Sequence, residues 1–252
     1  VEARVRAAGS LEEAVADADL VEEAVIEMLE VKHDVLGRAG RANETATIAS
    51  NTSTISIGAI AAGVPLPERF LGVHFSNPAP FIPGVEIIPH AGTQESRIAH
   101  AEDLVRGIGK TTARVGDVTG FVLNRLQYAL FHEATQLVEE GVASVEDIDT
   151  VVRTTFGYRL PFFGPFAIAD MAGLDVYNFC YCSLQGGFPE RFATPAALTD
   201  LVSAGRLGVK AGGGFRELDA ARTAELVAYR NRAYVAMQGL LDELGPSPFD
   251  ER

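Results

Sequence analysis

The sequence predicts an α/β domain built on a largely parallel sheet, followed by an all-helical domain. Between residues 17 and 118, short apolar runs alternate with stretches of helical periodicity, which is the pattern of strands joined by crossover helices. After Thr119-Gly120 this alternation stops, and leucines recur at helical spacing. The 252 residues are 47% hydrophobic and 22% charged, which suits packed cores in one or two domains.

The first half contains five predicted strands and three predicted helices. The predicted strands are Ala18–Val25, Thr47–Ser50, Phe70–His74, Val85–Ile88 and Thr112–Val115. The predicted helices cover residues 28–42, 57–62 and 94–107, and Thr93 is the expected cap of the third. Helices between successive strands predict a sheet whose faces are covered by helices.

The second half is predicted to be helical throughout. Its first helix has an apolar face and runs to about Glu140, where Gly141 can end it in a left-handed conformation. Ser144 and Asp147 have the spacing of a capping box that starts the next helix. Further helices are expected over residues 165–183 and 219–243. The predicted domains are therefore 1–118 and 119–252.

Composition excludes several classes of function. With 21 basic and 34 acidic side chains, the net charge of −13 argues against binding nucleic acid. No run approaches the roughly 20 apolar residues that cross a bilayer, so no membrane partner is expected. The two cysteines, Cys180 and Cys182, are too few for a disulfide framework, which favours a cytoplasmic location. We expect both to lie in the core and predict no metal site.

Polar residues at the end of the third predicted strand and inside the fourth point to an active site. His74 stands at the end of the third predicted strand and Asn77 just past it, where ligands bind in α/β sheets. Glu86 lies inside an apolar strand, where a carboxylate needs a partner. An adjacent imidazole would complete an acid–base dyad. A loop histidine and a glutamate turned toward solvent are the alternative, which these residues taken alone favour.

Two further segments offer hydrogen-bonding groups. Residues Ser50–Thr54 follow a strand and supply short hydroxyls and an amide, although such a run is usually only a turn. Asn124 lies among apolar residues at the start of the long helix, where it could equally be a local capping or packing residue. The glycine fingerprint G-x-G-x-x-G of dinucleotide-binding domains does not occur.

Taken together, these segments resemble the L-3-hydroxyacyl-CoA dehydrogenase family. The resemblance rests on five spaced motifs, Glu23–Glu27, Ser50–Ser53, His74–Pro78, Val85–Ile87 and Gly120–Arg125. It continues through Gly164–Phe166 and Gly208–Phe215, and so covers almost the whole chain. Features of the lambda-crystallin (L-gulonate 3-dehydrogenase) branch occur in Phe81–His90, Asn124–Tyr128 and Gly157–Gly164, whereas His74-Phe75 is more similar to the acyl-CoA enzymes.

The resemblance implies a Rossmann-like domain, an all-α domain and NAD-linked oxidation of a secondary alcohol. His74 would take the hydroxyl proton, and Glu86 would orient His74. Ser53 and Asn124 would hydrogen-bond the substrate oxygen, and Asn77 would hold the reacting region. The residues implied near NAD are Ala24, Val25, Glu27, Lys32 and Asn51.

The chain departs from the family pattern at its start and near the substrate. The Rossmann-like domain lacks its amino-terminal βαβ part, and we expect an amino-terminal stretch to precede residue 1; a truncated relative is the alternative. The acyl-CoA enzymes often have a lysine near the position of Gly84 and a second aromatic residue where Ser76 stands. The sequence therefore does not decide between an acyl-CoA and a free 3-hydroxy acid as the substrate. It also does not decide between NAD and NADP, or set the direction of the reaction.

A second hypothesis is a non-catalytic structural or dimerising protein on the same scaffold. The missing glycine fingerprint favours it. Under either hypothesis, the apolar face formed by Leu123, Leu126 and Leu130 predicts a homodimer through the helical domain, by analogy with the fold.

Overall fold

The structure, a computed structural model, describes residues 5–247 of the chain. This part of the chain divides into two compact units after Leu137. The strands are β1 (Leu20–Glu23), β2 (Thr47–Ser50), β3 (Phe70–Phe75), β4 (Gly84–Pro89) and β5 (Thr111–Arg114). The helices are α1 (Leu11–Val15), α2 (Leu29–Ala42), α3 (Ile57–Ala61), α4 (Glu95–Gly107), α5 (Leu123–Glu139), α6 (Val145–Thr154), α7 (Pro165–Ala172), α8 (Leu174–Gly187), α9 (Ala196–Ser203) and α10 (Ala220–Leu244).

The five strands form one sheet in the order β1-β2-β3-β4-β5. Strands β1, β2 and β3 are parallel, as are β4 and β5, while β3 and β4 are antiparallel. The predicted α/β architecture with a largely parallel sheet, followed by helices, is therefore confirmed. The antiparallel pair arises because only residues 76–83 join β3 to β4, whereas a parallel crossover needs a dozen or more residues.

Helices cover both faces of the sheet. On one face, Leu36 of α2 and Ile57 and Ile60 of α3 pack against the sheet with all three fully buried. On the other face, Ile98 and Val105 of α4 pack against a second apolar cluster of the sheet. Because side chains alternate along a strand, His74 and Glu86 lie on the α2–α3 face, next to Phe121.

Thr93 does not cap α4, contrary to prediction. The cap residue is Gln94, whose side chain makes no capping hydrogen bond. The hydroxyl of Thr93 instead donates to the carbonyl oxygen of Phe70 at 2.8 Å and accepts from the amide of His90 at 3.0 Å. These bonds fix the turn after β4, where two buried backbone groups needed partners. Helices α1 and α9 were also not predicted, and at five and eight residues they are short for a periodic signal.

After β5, the helices begin and end close to most of the predicted positions. Gly141 has a φ of 69° two residues after the end of α5, and Ser144 Oγ accepts from the amide of Asp147 at 3.1 Å to cap α6. The predicted single helix over 165–183 is two helices, because Gly173 adopts a φ of 104°. Cys180 and Cys182 are exposed on α8, so the expectation that they lie in the core was wrong.

A buried carboxylate organises the carboxyl-terminal part of the helical unit. Asp170 of α7 is buried and accepts hydrogen bonds from the amides of Phe215 and Arg216, at 2.8 and 3.3 Å. A side chain at Gly214 would meet this carboxylate, since an added Cβ would lie 2.1 Å from Asp170 Oδ1. The glycine-rich segment Gly208–Phe215 is therefore required for close packing.

Among residues 5–247, no helix combines the length and the apolar character needed to cross a bilayer.

Glu22 is an unpaired carboxylate on strand β1. Both of its carboxylate oxygens are buried and have no hydrogen-bond partner among the described residues. Burial raises the pKa of Glu22 well above its usual value, and the negative charge of Glu23 raises it further. Folding therefore favours the protonated form, and the unfolded chain releases this proton at lower pH than the folded chain.

We expect Glu22→Leu to stabilise the protein, and to do so more at pH 8 than at pH 5. A raised folded-state pKa means that stability declines as pH rises above the ordinary glutamate value, and leucine removes this decline. The gain at pH 8 should be about 1–2 kcal/mol. Thermal unfolding at both pH values checks this, with the exposed Glu30→Leu as the matched control. An equal gain at both pH values would contradict the assignment.

Candidate active site

His74 and Glu86 form a buried hydrogen-bonded pair. They are directly opposite each other in the β3–β4 register, and His74 Nδ1 lies 2.8 Å from Glu86 Oε2. Only 4% of His74 and 9% of Glu86 is exposed. The two residues are thus neither a loop histidine nor a solvent-facing glutamate. Because the carboxylate accepts the Nδ1 proton, Nε2 carries a lone pair that can take a proton.

The second oxygen of Glu86 is held by the start of α5. Glu86 Oε1 accepts the amide protons of Val122 and Leu123 at 3.0 and 2.9 Å. The preceding Phe121 is buried and has a φ of 48°, an unusual value for a residue other than glycine. This conformation costs about 1 kcal/mol or more. It turns the two amides toward the carboxylate. Both oxygens of the buried Glu86 carboxylate therefore have hydrogen-bond partners.

Ser53 contacts the other ring nitrogen of His74, and Asn124 contacts Ser53. The Ser53 hydroxyl donates to His74 Nε2 at 3.1 Å. The side-chain amide of Asn124 donates to the backbone carbonyl of Ser53 at 3.0 Å. Both residues are half-buried. The structure therefore brings together four of the five predicted catalytic residues, from β3, β4, the turn after β2 and the start of α5.

The fifth, Asn77, lies apart from this cluster. It is exposed in the segment after β3, and among the described residues its side chain makes no hydrogen bond to His74.

Glu27 fixes the turn that carries Ser53. Its Oε1 accepts from the Thr52 hydroxyl at 2.5 Å and from the amides of Ser53 and Thr54, both at 2.9 Å. Burial by itself disfavours the charge and is the largest influence on the pKa of Glu27. Together, however, these hydrogen bonds and Lys32 outweigh it and lower the pKa to about 2. Glu27 is therefore ionised at neutral pH.

Lys32 connects Glu27 to a second carboxylate. Its ammonium group lies 2.9 Å from Glu23 Oε1 and 3.2 Å from Glu27 Oε2. Ser50 also donates to Glu23, at 2.6 Å. The Lys32 side chain is only 1% exposed, so its contacts are with these carboxylates and not with bulk solvent.

The remaining predicted cofactor residues lie around the carboxyl ends of β1 and β2. Ala24 and Val25 are exposed directly after β1. Asn51 Oδ1 accepts from the amide of Phe75 at 2.8 Å, while its NH₂ group has no partner among the described residues. An exposed apolar edge, an ionised carboxylate and a free amide donor suit a ribose and a nicotinamide carboxamide. These residues thus fit a dinucleotide.

Within the described part of the chain, no group of three or more His, Cys, Asp or Glu side chains is placed to hold a metal ion.

Sequence reasoning missed several residues of this network. Glu23 could have been found, because a glutamate in a strand needs a partner and Lys32 follows nine residues later. The amides of Val122 and Leu123 gave no signal, because backbone groups are present in every sequence. Asp117, which caps α3 from a distant segment, gave no local signal either.

Comparison with known proteins shows which class this architecture defines. The sequence profile described as "3-hydroxyacyl-CoA dehydrogenase, NAD binding domain" matches residues 1–118. The profile described as "3-hydroxyacyl-CoA dehydrogenase, C-terminal domain" matches residues 120–218. The fold and these matches define an NAD-dependent oxidoreductase with a Rossmann-like domain and a helical domain.

Individual relatives agree with this class. The chain is 38% identical over 240 residues to 5-formyl-3-hydroxy-2-methylpyridine 4-carboxylate 5-dehydrogenase of Mesorhizobium japonicum, covering 94% of this chain and 78% of that protein. It is 36% identical over 203 residues to 3-hydroxybutyryl-CoA dehydrogenase of Mycobacterium tuberculosis, covering 79% and 70%. The crystal structure of a 3-hydroxyacyl-CoA dehydrogenase from Archaeoglobus fulgidus superposes with a TM-score of 0.79 at 35% identity, covering 92% and 79%.

The chain belongs to the 3-hydroxyacyl-CoA dehydrogenase family and is an NAD-dependent oxidoreductase of that kind.

Proposed function

We propose that this protein oxidises the C3 secondary alcohol of a 3-hydroxyacyl-CoA or a free 3-hydroxy acid, with His74 and Glu86 as an acid–base dyad. One observation carries the proposal. The His74 ring is hydrogen-bonded at both nitrogens, to Glu86 at Nδ1 and to Ser53 at Nε2. This arrangement fixes the tautomer in which Nε2 is the base and places a hydroxyl group beside it.

In this mechanism His74 Nε2 removes the proton of the substrate hydroxyl. Glu86 holds the ring in position and stabilises the imidazolium that results. The Ser53 hydroxyl lies beside Nε2, and Asn124 donates to the Ser53 carbonyl. We propose that both side chains hold the substrate oxygen while it becomes a carbonyl oxygen. Asn77 borders the same strand end, and we propose that it contacts the substrate or cofactor side of the reacting region.

When bound, NAD would accept the hydride that leaves the carbinol carbon. Ala24, Val25 and the free amide donor of Asn51 would contact it at the ends of β1 and β2. The ionised Glu27 would accept from a ribose hydroxyl. Lys32 is buried, and we propose that it serves the cofactor by holding Glu27 in place.

We propose that residues 1–118 serve the cofactor and residues 119–252 the substrate and dimerisation. Helices α5 and α6 contain no buried residue among those described, and Phe131 of α5 is 63% exposed. An apolar helix left this open favours a homodimer. Both cysteines are free, which agrees with a reducing cytoplasm.

A free hydroxy acid is as suitable a substrate as a CoA thioester. Residues 70–96 contain no lysine or arginine, and Lys110, which reaches this segment, donates to the backbone carbonyls of Ala79 and Ile82. The Mesorhizobium relative is named for a pyridine carboxylate, not for a thioester. We propose a sugar acid as one such substrate, on the resemblance of Phe81–His90 and Gly157–Gly164 to the lambda-crystallin branch.

The test is NADH formation with a panel of 3-hydroxyacyl-CoA thioesters and free 3-hydroxy acids. We expect absorbance to rise with at least one of them, and NADH to raise the melting temperature saturably. The same assay with NADP⁺ decides the cofactor preference. Saturable stabilisation by NADH without turnover of any substrate, or no stabilisation at all, would contradict the proposal and favour a non-catalytic protein on this scaffold.

A further inference from the structure

We propose that Asp117 is a positioning residue that connects the two turns carrying the active-site groups. Its carboxylate caps α3 from a segment about sixty residues later in the chain. Asp117 Oδ1 accepts the amide proton of Ile57, and Oδ2 accepts the Ser56 hydroxyl and the amide of Gly58, all at 2.8 Å. Its role for the reaction rests on the proposed function.

The first of these two turns carries Ser53. It ends at α3, whose first amides are held by Asp117. Within the turn, the amide of Ile55 donates to the Thr52 hydroxyl at 3.1 Å. The connection between Ser53 and α3 is therefore short and held by a hydrogen bond. A movement of the start of α3 would therefore be transmitted to the Ser53 hydroxyl, which contacts His74 Nε2.

The second turn carries the amides that hold Glu86. It follows Asp117 directly and is closed by a hydrogen bond from the amide of Phe121 to the carbonyl of Val118, at 2.9 Å. The amides of Val122 and Leu123 come next and donate to Glu86. Asp117 thus lies at the base of the segment that orients the carboxylate partner of His74.

Asp117 therefore influences both nitrogens of the imidazole without touching the ring. Among the described residues, it makes no hydrogen bond to Ser53, His74 or Glu86. One other direct hydrogen bond among the described residues joins the Ser53 turn to the start of α5, from Asn124 to the Ser53 carbonyl. Asn124 is itself proposed to bind the substrate oxygen, so replacing it would change both positioning and substrate binding. Replacing Asp117 changes positioning alone.

We expect Asp117→Ala to lower kcat about 10-fold to 100-fold per folded molecule, since displacements of about 1 Å in an active site have effects of this size. The Kd for NADH should change less than kcat, because the amide of Phe75 still holds Asn51 and because Ala24 and Val25 follow β1, outside the displaced turn. Asp117→Asn keeps one acceptor oxygen but turns an NH₂ group toward the amide of Ile57 or of Gly58, so its kcat should lie between those of Asp117→Ala and the wild type. Asp117→Ser, which is too short for all three bonds, repeats the test if the alanine variant does not fold.

The matched control is Asp219→Asn, which alters the capping carboxylate of α10 in the other unit. It should change the melting temperature and leave kcat unchanged. A wild-type kcat in folded Asp117→Ala would overturn the proposal, because a merely structural cap lowers stability alone.

A readout that does not need turnover separates this inference from the proposed function. In ¹⁵N-histidine spectra, the ring nitrogen signals of His74, assigned with His74→Gln, should shift in Asp117→Ala and stay unchanged in Asp219→Asn. Shifted signals in an enzyme inactive on every substrate would support the positioning role and overturn only the proposed reaction. Unshifted signals would overturn the positioning role.

Discussion

Replacing His74 with glutamine should lower kcat by about 10³-fold while the Kd for NADH stays within 2-fold. The imidazole is the only base placed beside the Ser53 hydroxyl among the described residues, and acid–base catalysis by a positioned side chain contributes roughly 10²–10⁴-fold. Glutamine keeps a polar group of similar size in the buried site, so the fold should survive. Steady-state kinetics and NADH fluorescence titration measure the two quantities.

The control for this substitution is His132→Gln, which alters an exposed histidine of α5 and should leave kcat unchanged. A decrease in kcat that is matched by an equal decrease in folded protein would assign His74 a structural role. Turnover at the wild-type rate in folded His74→Gln would reject the dyad as the catalytic base.

Two local signals pointed to the His74–Glu86 pair, but the residues alone favoured a loop histidine and a solvent-facing glutamate, and the resemblance to a family reversed that preference. A glutamate inside an apolar strand requires a partner, and a histidine at the end of the preceding strand is within reach if the strands pair. The sequence did not show that β3 and β4 are antiparallel. That pairing follows from the short connection over 76–83, and it sets the register that places the two side chains opposite each other.

The roles of Ser53, Asn124 and Lys32 came from the resemblance to a family and not from the residues themselves. The structure adds what the resemblance lacked, namely that Lys32 is buried between two carboxylates and that Glu27 holds the Ser53 turn. Contacts between residues this far apart in the chain leave no periodic pattern in the sequence, because each residue also suits the local structure in which it lies.

Backbone conformation was the least predictable part of the site. Thr119-Gly120 marked the end of the α/β alternation, but the left-handed conformation of Phe121 has no sequence signal, since this residue type normally avoids it. The tertiary structure imposes it, because burial of the Phe121 ring against His74 and the donation of two amides to Glu86 offset the local cost.

Glu86→Gln should lower kcat by about 10²–10³-fold with little loss of stability. The glutamine carbonyl can still accept the amides of Val122 and Leu123, but its NH₂ group then faces His74 Nδ1. Two donors cannot share that contact, so the ring adopts the other tautomer and Nε2 carries the proton. A protonated Nε2 cannot serve as a base, the same effect that an amide has in the serine-protease triad.

Glu86→Ala separates this tautomer effect from the loss of packing. It leaves two backbone amides and the imidazole without their acceptor, which should lower the free energy of unfolding by about 3 kcal/mol. In the His74→Gln background, Glu86→Gln should cost almost no further activity, because residues that act as a unit are not additive. Additive losses in the double variant would mean that Glu86 acts on the reaction by a route other than the imidazole.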